Sequence, residues 1–233
     1  MIFSIPRDHR FPDPRHADPD GLLGVGGDLD PDRILLAYRL GIFPWYSEGQ
    51  PICWWSPDPR YVLRTADLVV PRSLAKRVRQ RPYRITLDRA FEDVVARCAE
   101  TPRPGQRGTW ITRAMRQAYV DLHALGHAHS VEAWEDDRLV GGLYGLAVGK
   151  LMSGESMFAD RPDASKIAFV HFARQLHRWR YPLIDCQVHT AHLERFGAVS
   201  VPRPDYLREA ALLCAQPGHV GPWSFDEDLV VSG

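Results

Sequence analysis

The chain has 233 residues, enough for one large domain or two small ones around a hydrophobic core. Its 29 Lys plus Arg balance 29 Asp plus Glu, which excludes a globally basic nucleic-acid coat and an acidic tail protein; any polyanion site must come from charge segregated along the chain. Hydrophobic residues at 45% and charged residues at 25% are ordinary soluble usage and exclude wholesale disorder. The charge-free apolar stretch between Arg138 and Lys150 holds four glycines and is too short to span a bilayer. Pro6 and three arginines within MIFSIPRDHRFPDPR stand where a signal peptide needs an apolar run. Cys53, Cys98, Cys186 and Cys214 show no CxxC spacing, so neither a zinc knuckle nor a disulfide scaffold is indicated. A reducing, cytosolic compartment is the expectation.

In chain order, Asp30, Pro31 and Asp32 read as the cap and first turn of a helix carrying Ile34, Leu35, Tyr38 and Leu40, closed by Gly41. Residues 41 to 60, with three Trp and four Pro, promise little regular structure and much rigid aromatic surface. A basic helix over residues 72 to 81 ends at Pro82, a second helix follows near 88 to 100, and a third runs from about 112 to 125 with Met115, Tyr119, Leu122 and Leu125 at helical spacing. Strands are predicted at 129–134, 139–148, 151–158 and 183–188. Helices are predicted over 164–179 with Ile167, Val170, Ala173 and Leu176 inward, and near 189–195 and 205–214; the tail after Pro217 reads as loop. The pattern is a mixed α/β (α+β) chain with a mainly antiparallel sheet, divided near residue 60 into a small aromatic and Pro-rich module, 1–60, and a larger domain, 61–233.

Four groups of residues have chemistry worth weighing. The run Arg72 to Arg84 holds six Lys or Arg and no acid; on a helix Arg72, Lys76 and Arg79 share one face, which suits a phosphate backbone and equally a solvated helix face. Trp45, Tyr46, Trp54, Trp55 and Trp110 are faces on which unstacked bases bind, or simple glue between modules. In LIDCQV, strand alternation puts Asp185 and Gln187 on one face and Cys186 on the other, which argues against Cys186 as a hydrolase nucleophile with His189 or His192. In GESMF, Glu155 stands in apolar surroundings, where a carboxylate shifts its pKa or meets a cation. GVGGDL lacks the preceding strand of a dinucleotide loop, and His127 and His129 have no third ligand close in sequence.

The stretches GLLGVGGDLDPDRILLAYRLGIFPWY, WWSPDPR, GTWITR, LGHAHSVEAW, LVGGLYGLAVGKLMSGESMF, ASKIA and LIDCQV together resemble the leucyl/phenylalanyl-tRNA–protein transferases, in the order found in that family. The resemblance implies a small amino-terminal domain followed by a GNAT-like acyltransferase domain. It implies an enzyme without cofactor or metal, not membrane-bound, that moves Leu or Phe (also Met) from aminoacyl-tRNA to proteins beginning with Arg or Lys and so marks them for degradation. By that resemblance Trp45 and Trp110 hold the terminal adenosine, Arg72, Lys76 and Arg79 meet the acceptor stem, Asp185 and Gln187 act on the attacking amine, and Glu155 lines the aminoacyl pocket. The apolar wall is expected from Leu143, Met152, Phe158, Phe172 and Ile184. Glu194, Arg195 and Phe196 depart from the family's smaller, more polar stretch, which bears on acceptor contacts. Rival readings are a non-catalytic tRNA-end module and an acyl-CoA N-acyltransferase; the latter lacks its R/Q-x-x-G-x-G/A phosphate loop here.

Overall fold

The computed structural model describes residues 2–8, 10–102 and 109–229; residues 230–233, the end of the segment expected to be loop, lie outside the described residues. Four short strands, β1 (Phe3–Ile5), β2 (Leu22–Gly26), β3 (Phe43–Pro44) and β4 (Cys53–Trp55), form a sheet in the order β1-β2-β4-β3, parallel only between β1 and β2. Helix α1 (Pro31–Arg39) crosses between β2 and β3, its first turn capped by the Asp30 carboxylate accepting from the Asp32 amide at 2.9 Å. Pairings two or three residues long explain why the aromatic segment reads as irregular: no alternation can establish itself over so short a run.

The larger sheet has seven strands: β5 (Arg60–Arg64), β6 (Arg84–Leu87), β7 (Ala128–Glu135), β8 (Arg138–Val148), β9 (Leu151–Ala159), β10 (Leu183–Gln187) and β11 (Val199–Val201). Their order is β11-β5-β10-β9-β8-β7-β6, antiparallel throughout except for the β9–β10 pair. The mixed α/β class with a mainly antiparallel sheet is therefore the one expected. The helices are α2 (Arg72–Gln80), α3 (Phe91–Glu100), α4 (Arg113–Ala124), α5 (Ala164–Arg178), α6 (Ala191–Glu194) and α7 (Arg203–Cys214). None is long and apolar enough among the described residues to cross a membrane.

Alternation along the strands divides the core. Val131 and Ala133 of β7 pack with Ile167, Val170, Ala173 and Leu176 of α5, all buried as their spacing predicts. Ala128 of β7 and Tyr144 of β8 pack instead with Phe91 of α3 and Tyr119 of α4. That second cluster continues without a break into Leu23, Ile34 and Trp54, so the small sheet shares its interior with the large one. Trp54 is its pivot, fully buried, edge-on to Phe11 at 4.8 Å and donating from Nε1 to the Gly26 carbonyl at 2.9 Å.

Two features of this frame position the site. Strand β5 carries the chain from the small sheet straight into the large one and lies beside β10. The β9–β10 ladder runs Leu183–Leu151, Ile184–Met152, Asp185–Ser153 and stops there, while β9 continues to Ala159, so the two strands part beyond Ser153. Because the interior is shared, Trp54→Ala is expected to cost about 3–5 kcal/mol and to leave a single unfolding transition in urea. Two separate transitions would contradict a continuous core.

Candidate active site at the fork of strands β9 and β10

Each strand flanking the fork carries an irregularity at its functional residue. On β9, Tyr144 pairs with Ser156 but Gly145 with Gly154, leaving Glu155 as an extra residue. On β10, Asp185 pairs with Val62 but Gln187 with Tyr61, so Cys186 is extra, and Gln187 adopts a left-handed backbone at φ 64. This corrects the expectation that Asp185 and Gln187 share a face. The bulge turns Gln187 onto the cleft beside Ile184 and Cys186, and leaves Asp185 on the opposite side with Arg60 and Tyr206.

Asp185 is 0% exposed, and its two oxygens take four hydrogen bonds. Oδ1 accepts from Arg60 Nε at 2.7 Å and from the Gln187 amide at 2.9 Å; Oδ2 accepts from Arg60 Nη2 at 2.6 Å and from the Tyr206 hydroxyl at 2.8 Å. The Arg60 guanidinium lies between the rings of Phe43 and Tyr206, 4.7 and 4.6 Å from their centroids, and donates from Nη1 to the Gly41 carbonyl at 3.2 Å. Such a fork-to-fork pair, with all three guanidinium nitrogens and both carboxylate oxygens bonded, is the form in which a buried ion pair is tolerable. Sequence inspection missed Arg60 because a lone Arg after Pro59 carries no pattern.

Gln187 donates from Nε2 to Oε1 of Glu155 at 3.1 Å. The same oxygen accepts from the Tyr38 hydroxyl at 2.7 Å, itself 2.7 Å from the hydroxyl of Tyr119. Burial raises the Glu155 pKa to about 7; the hydrogen bonds from Tyr38, Tyr119 and Gln187 draw it back, and the charge of Asp185 adds to the rise. One N–H of Nε2 is committed to Glu155, and that bond orients the amide so that the Gln187 oxygen can accept from a ligand. Cys186 lies beside it, but burial, with Asp185 adding, pushes its thiol well above the ordinary range, the opposite of an activated nucleophile.

The cleft has a volume of about 520 Å³. Trp45, 37% exposed and edge-on to Trp55 at 5.7 Å, stands at its wall together with Trp110. Glu155, Gln187, Leu143 and Ile184 line the same space, so six of the residues singled out from sequence converge. Met152, Phe158 and Phe172 do not line it and are corrected: all three are fully packed in the core. The extra residue at 155 shifts the alternation of β9, so Met157, not Phe158, turns toward the cleft. Phe169, one turn before Phe172 on α5, supplies the aromatic wall. Phe196 is core as well, 4.9 Å from Phe169, whereas Glu194 and Arg195 are exposed.

Arg72, Lys76 and Arg79 are exposed along α2, while Leu74 and Val78 anchor the helix to the core. None of the three has an acidic partner among the described residues. A face of this kind has charge to offer a polyanion.

A model of the family described as leucyl/phenylalanyl-tRNA protein transferase matches residues 62–211, and one of that family's N-terminal domain matches residues 27–58. A protein of Anaeromyxobacter sp. (strain Fw109-5) named leucyl/phenylalanyl-tRNA–protein transferase is 58% identical over 225 residues, 97% of this chain and 96% of its own. Proteins of the same name from Anaeromyxobacter dehalogenans (strain 2CP-C) and Nitratidesulfovibrio vulgaris (strain DP4) are both 56% identical, over 97% and 94% of each chain.

Two outcomes follow from the buried charges. Arg60→Met strands the Asp185 carboxylate without its partner and is expected to cost about 3–5 kcal/mol in denaturant unfolding; a loss under about 1 kcal/mol would mean that the pair is solvated. An ordinary Glu titrates near 4.5 and native Glu155 near 7, so the folded state holds the proton more tightly than the unfolded chain. The stability this contributes is complete below about pH 4.5 and is lost as the pH rises through about 7. Parent stability should therefore fall relative to Glu155→Gln across that window, and a pH-independent difference between the two would contradict the assignment.

Proposed function

Because this chain belongs to the leucyl/phenylalanyl-tRNA–protein transferase family, we propose that it transfers Leu or Phe, and also Met, from aminoacyl-tRNA to the amino terminus of proteins beginning with Arg or Lys. The observation carrying this reading is that a polar pair, Gln187 and Glu155, sits in one cleft with the indoles of Trp45 and Trp110 and an apolar wall of Leu143, Met157, Phe169 and Ile184. The indoles suit an unstacked terminal adenine. The apolar wall suits an amino-acid side chain unbranched at Cβ. The fork between them is where the ester joining the two parts would lie.

The reaction turns an ester into an amide and needs no other energy source. An α-amino group has a pKa of about 7.7–8.0, so a useful minority of the acceptor, about a tenth to a sixth, is already neutral near pH 7 and little base strength is needed. Gln187 Oε1 accepts a hydrogen bond from the acceptor amine, which aims the nitrogen lone pair at the ester carbonyl carbon; the C–N bond forms, the acyl C–O bond breaks, and the ribose oxygen leaves with the proton that the attacking nitrogen gives up. Glu155, accepting from Nε2, keeps the amide from flipping. Asp185 acts one step further back: it touches no substrate and holds the backbone turn that presents Gln187. The exposed Arg72, Lys76 and Arg79 add sequence-independent attraction for the tRNA backbone. Removal of the acceptor from the pool of stable proteins follows from its new amino terminus.

The test is incubation with labelled phenylalanyl-tRNA and a peptide beginning with Arg, with label expected in the peptide. Binding of tRNA without labelled peptide would instead support a non-catalytic end-binding module. Replacing Lys76 and Arg79 together by Ala should weaken tRNA binding and flatten the plot of log K against log salt by about 1.8. An unchanged slope would remove α2 from the interface.

A further inference from the structure

Glycine in a strand interior weakens the strand, so each one calls for a reason. In this sheet the reasons are mostly internal. A Cβ on Gly141 would meet the Ala164 Cβ at 2.5 Å, one on Gly142 the Val131 carbonyl oxygen at 2.8 Å, and one on Gly145 the Ser153 carbonyl oxygen at 2.2 Å. Elsewhere a positive φ supplies the reason, as at Gly149 with φ 59. Gly154 has neither. Its φ is outside the left-handed region, and a Cβ placed on it would come no nearer to the protein than 3.8 Å, at the Asp185 carbonyl oxygen. Among the described glycines it alone lacks both a strained backbone and a steric neighbour.

Gly154 also lies where the β9–β10 ladder has just ended, one residue past the Asp185–Ser153 pair and one before Glu155, and it lines the cleft. The missing side chain thus leaves empty space in the cleft itself, beside Ile184, Cys186 and Gln187. Folding gains nothing from that space. We infer that Gly154 is a positioning residue kept bare for the substrate: the aminoacyl ester of the donor lies against its Cα, close enough that a methyl group would hold the carbonyl away from Gln187. This rests on the transfer reaction proposed above and adds to it the residue that sets how deeply the donor ester enters the fork.

The structure makes the substitution unusually clean, because Ala fits the protein and also removes a strand glycine. Gly154→Ala and Gly154→Val are compared with the parent in three measurements: thermal midpoint, affinity for uncharged tRNA, and kcat/KM for transfer from phenylalanyl-tRNA to a peptide beginning with Arg. The expected result is a midpoint for Gly154→Ala no lower than the parent's and unchanged affinity for uncharged tRNA, which carries no ester. Transfer falls about 100-fold, as a displacement of about 1 Å at a reacting centre demands, and further for Gly154→Val. Parental transfer by Gly154→Ala overturns the inference, as does a loss of transfer that merely tracks a lowered midpoint and weakened tRNA binding. If the parent itself labels no peptide, the transferase reading falls first, and the inference with it.

Discussion

The contact on which the rest of the site depends is the buried pair between Arg60 and Asp185. Arg60 opens β5, the strand by which the small sheet hands the chain to the large one, and its guanidinium bonds to the Gly41 carbonyl in the turn between α1 and β3 on one side and to Asp185 of β10 on the other. Two charges in a dry interior are expensive unless each is saturated, and here every oxygen of the carboxylate is occupied. The pair therefore has one low-energy arrangement. It fixes β10 against β5, and through the amide of Gln187 it fixes a backbone turn that a non-glycine residue seldom adopts and that costs about 1–3 kcal/mol unless its surroundings hold it.

That turn converts an ordinary strand end into a site. Without the extra residue at Cys186, Gln187 would fall on the face of Asp185 and point toward α7; with it, Gln187 faces the fork. The matching irregularity on β9 brings Glu155 within 3.1 Å of the amide. Glu155 is in turn held by tyrosines from two helices, Tyr38 of α1 and Tyr119 of α4. Orientation thus passes from Arg60 to Asp185 to the Gln187 backbone, and separately from Tyr38 and Glu155 to its side chain. Both lines converge on a single amide oxygen. Between them the bare Cα of Gly154 leaves room for the group to be presented.

Much of this was legible in the sequence, and the boundary of legibility has a physical location. Long elements with clear periodicity, such as α5 with Ile167, Val170, Ala173 and Leu176 inward, were readable because one packing face dictates their spacing. Glu155 and Gln187 were readable as chemistry because polar groups are costly in apolar surroundings unless used, and Trp45 and Trp110 because aromatic faces suit unstacked bases. The two bulges were not readable. Alternation assumes an unbroken ladder, and one extra residue at 155 or 186 exchanges the faces of everything beyond it. This single cause accounts for Phe158 proving to be core where Met157 lines the cleft, and for Asp185 parting from Gln187. Met152 and Phe172 erred differently: apolar type alone does not distinguish a core wall from a pocket wall. Arg60 was invisible because its importance lies in partners 19 and 125 residues away, which no local pattern records.

In the proposed mechanism Asp185 acts on the reaction only through Gln187. A double-mutant cycle on the single-turnover rate of transfer tests it most directly, using Asp185→Asn, Gln187→Ala and the two combined, at saturating acceptor and at a temperature where circular dichroism shows all three folded. If Asp185 serves only to present Gln187, each single change slows transfer and the combined variant is no slower than Gln187→Ala alone. Losses that multiply in the combined variant would mean that the carboxylate reaches the reacting groups by a route of its own, and would contradict a purely positioning role for Asp185.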